Sequence, residues 1–572
     1  MKKLLKSTAT IALASLITFS AVGCTPAGAQ GEKVDVTKTQ INVSHYLGGV
    51  GQAWIDKIET EFEALYSDYK GENGKEGVQI IVNHHKKEGD TLAEDLLSNP
   101  DEVFFTDKSK YHDMVSNNSL LSLNSIMISN DQNVVDLEDR LNAQQRAYYN
   151  RNGNYYALPH YESFGGIFYN RNLFNDRSLY FAKGGVPSEY SAFTQANNTD
   201  HATGTKPTSP SQYEYTNFAG AKSAGPDGKY GTDDDGLPAT FDEFFALCDY
   251  MSGEKSITPF TWSGQFGKAY IHYLMKAIWA DVEGEKGINA AYNFSGEDIK
   301  IVKEISTNGT VTFETVDINE QNAYLTFKSE GQYRAYEFVI KMLSKGEYLT
   351  DNSDKGLSHT HTQAQREFIL SEFNPAKWTQ EGRRIGMIIE GNYWENEARD
   401  MGIFDQVPQG KSTSYGYMPV PKVDESRIGT KYTLTEEQGN IAFIRSNVKE
   451  NKKQLLLDFL AYCYSEDKLI EFTELSGMTR GLNYNLDNIS GVGVTDMAKS
   501  LINAKKNSNM VYMVSGNPLY VAHQTYFNYR FGINGYDWVL DYLVSKPRTT
   551  KDVMNLLEQK RTESVWKATF KV

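Results

Sequence analysis

Two glutamates, Glu162 and Glu390, lie in segments that we expect to face a cleft, where carboxylates could do chemistry together. Glycoside hydrolysis uses two carboxyl groups, about 5 Å apart in retaining enzymes and about 6.5–9.5 Å apart in inverting ones. Sequence gives no distance, so a glycosidase remains an alternative. The chain carries no Gly-x-Ser-x-Gly elbow, no phosphate-binding loop and no His-Glu-x-x-His zinc helix. We therefore predict a protein that is not an enzyme and has no catalytic residue.

A second group of acidic residues suggests metal chemistry. Residues 225–238 read Gly-Pro-Asp-Gly-Lys-Tyr-Gly-Thr-Asp-Asp-Asp-Gly-Leu-Pro, in which the glycines allow tight turning. Calcium takes about 6–8 oxygen ligands in flexible geometry. The loop offers four carboxylates, those of Asp227, Asp233, Asp234 and Asp235, but it lacks the full EF-hand spacing. It is therefore either a structural calcium site or a solvated acidic turn, and we predict that function requires no cofactor.

The amino-terminal residues have the pattern of a secretory signal. Three lysines among the first six residues precede an apolar stretch, residues 11–22, which is shorter than the about 20 residues that a membrane span needs. Residues 21–24, Ala-Val-Gly-Cys, resemble a bacterial lipobox. We predict that residues 1–23 are a lipoprotein signal peptide, that acylated Cys24 anchors the protein in the lipid bilayer, and that residues 24–37 form a flexible tether. The alternative is an ordinary signal peptide with a chance cysteine.

Composition argues against one class of partner and points to another. The 572 residues include 58 Lys and Arg against 73 Asp and Glu, and this formal net charge of −15 argues against nucleic acid. Aromatic residues make up 12% of the chain, with 36 Tyr, which suits a surface that contacts a ligand through rings. The length predicts more than one compact unit. Cys248 and Cys463 lie in apolar helical patterns, so we predict buried free thiols rather than a disulfide.

The folded part of the chain opens with strands that alternate with helices. Apolar patterns predict strands at 40–44, 78–82 and 102–105 and helices at 54–66 and 91–97. This alternation implies right-handed crossovers and a mostly parallel sheet, whose ligands bind beyond the carboxyl ends of the strands. Those ends carry two groups of residues: Ser44, His45 and Tyr46, and Phe105, Thr106 and Asp107.

The middle of the chain contains a hinge-like segment and an insertion. Pro159 interrupts an extended stretch ahead of an apolar strand, as expected for a segment that joins two sheets. Residues 185–237 are polar and poor in aliphatic side chains, which predicts a long surface insertion. Thr240 and Glu243 then predict a capping box at the start of a helix. Later patterns predict strands at 385–389, 415–420 and 440–444 and a helix at 450–464.

Several segments, in their order along the chain, resemble those of one known family. They are the lipobox, the β-α-β opening, Tyr-Ala-Leu-Pro at 156–159, Phe-Tyr-Asn-Arg-Asn-Leu-Phe at 168–174, Pro-Ala-Thr-Phe-Asp-Glu-Phe at 238–244, Gly-Met-Ile-Ile-Glu-Gly-Asn-Tyr-Trp at 386–394, Tyr-Gly-Tyr-Met-Pro-Val-Pro at 415–421 and Gly-Asn-Ile-Ala-Phe at 439–443. This ordered set resembles the extracellular solute-binding lipoproteins of ABC importers. Within them it is similar to family 1, the carbohydrate-binding group that includes maltose-binding protein.

The resemblance implies an α/β fold with two lobes that close on a ligand like a clamp, the type II periplasmic-binding-protein arrangement. The first lobe would hold residues 38–160 and 437–478, and the second would hold residues 161–436 and 479–572 with the large insertion at about 185–237. Crossings between the lobes are implied at 158–162, near 433–439 and near 477–481. The insertion and the long C-terminal part exceed the usual size of the family.

The resemblance also implies positions for ligand binding. The family's positions fall on His45, Tyr46, Phe105, Thr106, Asp107, Glu162, Ser163, Glu390, Tyr393 and Trp394. Glu162 and Ser163 compete for one acidic position at the first crossing. Since Tyr393 and Trp394 are adjacent, only one of the two is expected to face the cleft. Phe105 could lie in the core instead, and Glu390 could cap the turn that follows it. Composition alone adds Trp262 to these candidates.

Together these inferences predict a lipid-anchored protein on the extracellular face of the cell membrane that captures a carbohydrate, an oligosaccharide, between two lobes. A pyranose has an apolar C–H face that packs on an aromatic ring, while its hydroxyls need directed hydrogen-bond partners. The implied partners are the sugar and the membrane permease subunits of an ABC importer, and the protein is expected to be a monomer. A non-sugar solute such as a peptide and a surface glycan-binding adhesin remain alternatives.

Overall fold

The fold is that of a computed structural model, which describes residues 34–85, 92–107, 109–128, 136–183, 213–265, 267–350, 358–436, 439–524 and 549–572. Cys24, the predicted signal peptide and most of the predicted tether lie outside these ranges, as does the first half of the predicted insertion. Among the helices of the described ranges, none has both the length and the apolar character needed to cross a bilayer.

The strands are short and lie along the whole described chain. They are β1 (Thr39–Tyr46), β2 (Val78–His85), β3 (Val103–Phe105), β4 (Leu158–Pro159), β5 (Gly165–Asn170), β6 (Tyr180–Phe181), β7 (Tyr215–Thr216), β8 (Ile257–Thr261), β9 (Gly296–Ile305), β10 (Val311–Ile318), β11 (Arg384–Gly391), β12 (Tyr415–Met418), β13 (Thr433–Glu436), β14 (Ile441–Ile444) and β15 (Asn509–Tyr512).

The α-helices lie between these strands and in the C-terminal part. They are Ala53–Leu65, Leu92–Asp95, Tyr111–Ser116, Asn124–Met127, Ala143–Tyr149, Arg171–Arg177, Phe241–Asp249, Gly267–Asn293, Glu330–Leu343, His361–Leu370, Pro375–Trp378, Trp394–Asp400, Lys453–Cys463, Glu466–Ser476, Asp496–Asn507, Pro518–Ala522, Thr550–Lys560 and Glu563–Phe570. The longest, Gly267–Asn293, is broken at Gly284, whose φ of 64° is not helical.

The first lobe is built around a five-stranded sheet in the order β2-β1-β3-β14-β4. β1 pairs in parallel with β2 and β3, as strands joined by helical crossovers do, whereas β14 pairs antiparallel with β3 and β4. Ile41, Val43, Phe104 and Phe443 are fully buried in this sheet. The predicted parallel β-α-β opening is therefore confirmed. Because β14, which is distant in sequence, pairs antiparallel with β3 and β4, the complete sheet is mixed.

The second lobe is built around a four-stranded sheet in the order β12-β5-β11-β8. β8 and β11 are parallel, and β5 runs antiparallel to both of its neighbours. The helix Gly267–Asn293 packs across β5 and β11 and carries one of its faces toward the first lobe. Three smaller pairs accompany this sheet: the antiparallel pairs β9–β10 and β6–β7 and the parallel pair β13–β15.

Three stretches of chain run between the two sheets and bond to one another. The backbone N–H of His160 donates to the carbonyl of Asn440 at 2.8 Å, and that of Glu162 donates to the carbonyl of Thr479 at 2.9 Å. Tyr161 and Arg480 form an isolated antiparallel bridge. The stretch that joins β4 to β5 therefore lies between the other two and is tied to both by backbone hydrogen bonds.

Local predictions from sequence match the structure closely. Thr240 caps the helix Phe241–Asp249, since its hydroxyl oxygen accepts from the backbone N–H of Glu243 at 3.3 Å. The Glu243 carboxylate accepts from the backbone N–H of Ala239 at 2.7 Å, one residue before the expected capping-box partner. Cys248 and Cys463 are both buried free thiols, which confirms the prediction made for them.

Candidate functional site

A cavity of about 330 Å³ lies where the two lobes meet. The first lobe contributes the ends of β1 and β3 through Tyr46 and Asp107, as expected for a ligand site beyond the carboxyl ends of parallel strands. The second lobe contributes the N-terminal half of the helix Gly267–Asn293 and the residues after β11. The crossing stretches form the floor, through Tyr161, Ser163 and Asn440.

Five tyrosines dominate the wall of this cavity: Tyr46, Tyr161, Tyr270, Tyr273 and Tyr393. Glycines make room for these rings. A Cβ atom on Gly165 would lie 2.3 Å from the Cβ of Tyr273, and one on Gly49 would lie 2.2 Å from the Cβ of Tyr393. Gly49 also has a φ of 72°, in the left-handed region that favours glycine. Any larger residue at either position would displace a ring from the cavity wall.

Polar groups of mixed charge lie among the rings. The carboxylates are those of Asp107, Glu397 and Glu436, and Lys276 contributes a cation. Asp107 Oδ1 accepts from the hydroxyl of Tyr161 at 2.9 Å, and Glu397 accepts from the amide of Gln365 at 3.1 Å. Such groups can hydrogen-bond to a ligand's hydroxyls while the rings pack against its apolar faces.

Burial sets the protonation of the tyrosines. It raises the pKa of Tyr161, with the Asp107 carboxylate adding to the effect, and it raises the pKa of Tyr270 and Tyr393. Their hydroxyls therefore stay protonated at neutral pH and can donate hydrogen bonds. Burial also raises the pKa of Glu390 well above its usual range, with the Glu397 carboxylate contributing. Glu390 lies behind the cavity wall, where its Oε1 accepts from the side-chain amide of Gln365 at 3.3 Å.

Four of the residues selected from sequence line the cavity: Tyr46, Asp107, Ser163 and Tyr393. Their contact with a ligand stays a prediction. The neighbour of Tyr393, Trp394, is fully buried in a different cluster, where its ring lies 5.0 Å from that of Tyr415 and 5.6 Å from that of Phe368. Of this adjacent pair, the structure therefore puts Tyr393 at the cavity and Trp394 in the core.

Three residues selected at the strand ends lie in the core of the first lobe instead. His45 and Phe105 have no exposed surface and both pack on Trp54, with ring centres 5.3 and 5.0 Å apart. Thr106 is also fully buried, and its hydroxyl donates to the carbonyl of Ile441 at 2.9 Å. Alternation along the chain accounts for His45 beside Tyr46 and Thr106 beside Asp107, since neighbouring side chains point to opposite faces. Phe105 is buried because it belongs to β3, all three residues of which are buried within the sheet.

The two glutamates singled out as a catalytic pair do not line the cavity. Glu162 is fully buried and accepts hydrogen bonds from Thr479, Lys505 and Tyr512. Glu390 is fully buried and accepts from the backbone N–H of Gly391 at 3.0 Å, which is the alternative role expected for it. Both carboxylates are thus engaged by protein groups behind the wall.

The remaining candidates also lie away from the cavity. Trp262 is fully buried in the second lobe, where its ring centre lies 6.0 Å from that of Phe260. In the acidic loop, Asp234 is buried and accepts from the backbone N–H of Asp227 at 3.0 Å and from the hydroxyl of Thr232 at 2.6 Å. Asp235 accepts from the backbone N–H of Gly231 at 2.8 Å.

The acidic loop therefore satisfies much of its own charge internally. Asp233 reaches outward and accepts from Asn503 at 2.6 Å. Within the described ranges, no three His, Cys, Asp or Glu side chains are grouped so as to hold a metal ion. Calcium at Asp227, Asp233, Asp234 and Asp235 stays a prediction.

Several cavity residues escaped the sequence analysis. Tyr270, Tyr273 and Lys276 recur every three residues of one helix, so they lie along one side of it. That spacing was a signal available in the sequence. His361 begins the helix His361–Leu370, and Glu436, Asn440 and Met513 reach the cavity only through tertiary folding. For these, local sequence carries no comparable signal.

Comparison with known proteins identifies the fold. No family model and no curated protein matches the sequence. Three solved structures match at a TM-score of 0.51: a chitin oligosaccharide binding protein (14% identity, 93% of this chain and 99% of that one), SBP RafE in complex with raffinose (13%, 92% and 100%) and apo RafE from Streptococcus pneumoniae (12%, 94% and 99%). At such identities the likeness establishes the fold alone. The two-lobed α/β fold predicted from the sequence is therefore confirmed.

Proposed function

We propose that the protein is an extracellular receptor that captures a carbohydrate between its lobes and delivers it to an ABC importer. The observation that carries this proposal is the tyrosine-rich cavity, with five rings and several carboxylates around one space at the junction of the lobes. Rings suit the C–H faces of pyranoses, and the carboxylates and amides suit their hydroxyls. Two structural neighbours, a chitin oligosaccharide binding protein and RafE in complex with raffinose, support the same class of ligand.

Binding without chemistry on the ligand is the second part of the proposal. Glu162 and Glu390 are buried behind the cavity wall and bonded to other groups of the protein, which supports capture rather than hydrolysis. Closure of the lobes shifts a two-state equilibrium by the ligand's differential affinity for the closed form. No nucleophile or general acid is needed for that step.

A ligand screen by thermal unfolding tests the proposal. The full-length protein is heated with mono- and oligosaccharides, including raffinose and chitin oligosaccharides, and with short peptides. A ligand at 100 times its dissociation constant stabilises the folded form by about 2.7 kcal/mol, so the unfolding midpoint rises measurably. A sugar that stabilises the protein and is recovered intact supports capture. A sugar that is cleaved indicates a glycosidase, and stabilisation by peptides alone contradicts carbohydrate binding.

Membrane anchoring is proposed from the sequence, since Cys24 lies outside the described residues. Each acyl methylene contributes about 0.8 kcal/mol when buried in a bilayer, so a diacylated amino terminus holds a soluble body firmly. Substitution Cys24→Ser is expected to move the protein from the membrane fraction to the medium. The buried Cys463→Ser variant is the control and is expected to stay with the membrane. An unchanged distribution of the Cys24→Ser variant contradicts lipid anchoring.

A further inference from the structure

Glu162 lies at the point where the crossing stretches meet, yet its side chain points away from the cavity. The residues on either side, Tyr161 and Ser163, both line the cavity, while Glu162 has no exposed surface. In an extended stretch neighbouring side chains point in opposite directions. Whatever fixes Glu162 behind the wall therefore also fixes the two flanking side chains at the wall.

Three side chains hold the Glu162 carboxylate, and each comes from a different part of the chain. Thr479 belongs to the third crossing stretch, which leads from the first lobe to the second, and its hydroxyl donates to Oε2. Lys505 lies on the helix Asp496–Asn507 and donates to the same oxygen at 2.5 Å. Tyr512, at the end of β15, donates to Oε1 at 3.0 Å. We call Glu162 and these three donors the hinge brace.

The brace connects the hinge to the second lobe. The helix that carries Lys505 packs on β12, where Ser500 accepts from the backbone N–H of Tyr417 at 2.8 Å. Lys505 also donates to the carbonyl of Arg480 at 3.1 Å, in the third crossing stretch. The C-terminal part of the chain, which exceeds what the resemblance implies, thus reaches the hinge through Lys505 and Tyr512.

Burial makes this arrangement sensitive to the loss of one partner. A carboxylate without exposure needs a compensating cation and hydrogen bonds, and the Lys505 side chain is itself only 10% exposed. Removing the cation leaves a buried charge without compensation, whereas removing both charges leaves neutral groups that can pack. The two substitutions are therefore expected to be strongly non-additive.

We propose that Glu162 is a positioning residue of the ligand cleft. Held by the hinge brace, it fixes Tyr161 and Ser163 at the cavity wall and so sets the affinity for the sugar without touching it. The inference rests on the proposed function, because the ligand is the one that the cleft is proposed to take. It also gives a role to the C-terminal segment 496–512, which sequence analysis leaves without one.

Substitution at Lys505, which does not line this cavity, separates positioning from direct contact. Raffinose, maltotriose and chitotriose are titrated calorimetrically into the full-length variants. The Lys505→Met variant is expected to bind about tenfold more weakly than wild type, and the Lys505→Arg variant within about threefold of it. The double variant Glu162→Gln with Lys505→Met is expected to bind more tightly than Lys505→Met alone. Unchanged affinity in Lys505→Met, or additive losses in the double variant, overturns the proposal.

Hydrogen exchange tests the brace without any sugar. The backbone N–H groups of His160 and Glu162 are bonded within the hinge, so their exchange is expected to accelerate in Lys505→Met. Lys506→Gln is the matched control: Lys506 pairs with the exposed Asp487, so its loss should leave exchange at 158–164 unchanged. Equal exchange in Lys505→Met and wild type overturns the positioning role. If wild type binds none of the sugars, the proposed function fails, and the exchange result decides the positioning role independently.

Discussion

Two adjacent rings, Tyr393 and Trp394, have different surroundings and so predict different outcomes on substitution. Tyr393 lines the cavity, where its ring is available to a sugar. Burying an aromatic side chain against a ligand contributes about 2 kcal/mol, so Tyr393→Ala is expected to raise the dissociation constant roughly 30-fold. Calorimetric titration with the best sugar of the screen measures this change.

The neighbouring ring provides the matched control. Trp394 packs in the core against Phe368 and Tyr415, so Trp394→Phe is expected to lower the free energy of unfolding by about 1–3 kcal/mol. Sugar affinity of the folded protein should stay within about twofold of wild type. A larger loss of affinity in Trp394→Phe than in Tyr393→Ala would reverse the assignment of the two rings.

Asp234 predicts a pH dependence of stability. Its burial, with repulsion from the Asp227 carboxylate, raises its pKa from 3.8 to about 7. Between the two pKa values, the folded protein therefore holds a proton on Asp234 that the unfolded chain has already released. The stabilisation from this proton is fully present below about pH 4 and is lost as the pH rises to about 7. The Asp234→Asn variant cannot titrate at this position, so its free energy of unfolding is expected to decrease less than that of wild type between about pH 4 and pH 7. Urea denaturation in the presence of a metal chelator measures this difference.

Calcium gives this experiment a second arm. If the acidic loop binds calcium, adding the ion at neutral pH stabilises the wild-type protein, because a ligand that binds only the folded form does so. The stabilisation should vanish in Asp227→Asn. An equal pH slope in wild type and Asp234→Asn contradicts the assigned proton, and an unchanged midpoint with calcium contradicts the metal site.

At the residue scale, alternation along the chain decides which sequence candidates reach the cavity. Two residues chosen at the strand ends, Tyr46 and Asp107, line the cavity, and their contact with a ligand stays a prediction. Adjacent residues at a strand end cannot all be assigned to the cavity, because the side chains of His45 and Thr106 are buried in the core. Strand geometry alone would have excluded one residue of each adjacent pair from the candidate ligand-binding residues.

At the scale of elements, the opening strands and their parallel pairing were predictable from local patterns, whereas the antiparallel pairing of a distant strand was not. The β-branched runs that became β1 and β2 are local signals, and they begin within one residue of the predicted positions. The antiparallel return of β14 depends on contacts between residues far apart in sequence. The helix face carrying Tyr270 and Tyr273 was predictable only in part. The spacing of the two tyrosines is visible in the sequence, but packing of the helix decides that this face points toward the cavity.

One buried ion pair ties two elements of the second lobe together. Lys422 and Asp281 are 1% and 5% exposed, with the ammonium 2.9 Å from Oδ1. The same carboxylate accepts from the backbone N–H of Thr433 at 3.2 Å, which anchors β13 to the helix Gly267–Asn293. Lys422→Met leaves a buried carboxylate without its cation and is expected to cost about 3–5 kcal/mol of unfolding free energy, measured by urea denaturation.

An exposed ion pair serves as the control for this prediction. Lys449 pairs with Glu72 at 3.4 Å, but their side chains are 70% and 45% exposed. Lys449→Met is therefore expected to cost no more than about 1 kcal/mol. The double variant Lys422→Met with Asp281→Leu should be more stable than Lys422→Met alone. Equal costs at the buried and exposed lysines would show that burial does not determine the effect.

At the scale of the whole molecule, the side-chain amide of Asn396 bonds the second lobe to the first beside the cavity. Asn396, in the helix that follows Tyr393, donates to the carbonyl of Gly49 at 2.6 Å and to that of Ser476 at 2.8 Å. Both acceptors belong to the first lobe, where the helix Glu466–Ser476 packs on the helix Ala53–Leu65. The two hydrogen bonds can form only while the lobes are close, so they favour the closed arrangement.

The last prediction follows from these two bonds. Each contributes about 1 kcal/mol, so Asn396→Ala is expected to shift the closed-to-open ratio roughly 30-fold toward the open form. Small-angle scattering should then give a larger radius of gyration without sugar, and saturating sugar should restore the wild-type value at a weaker dissociation constant. Asn503→Ala, which removes an amide bonded to Asp233 within the second lobe, is the control and should change neither quantity. If Asn396→Ala matches wild type in both measurements, the lobes are held together by other contacts, and closure does not depend on this amide.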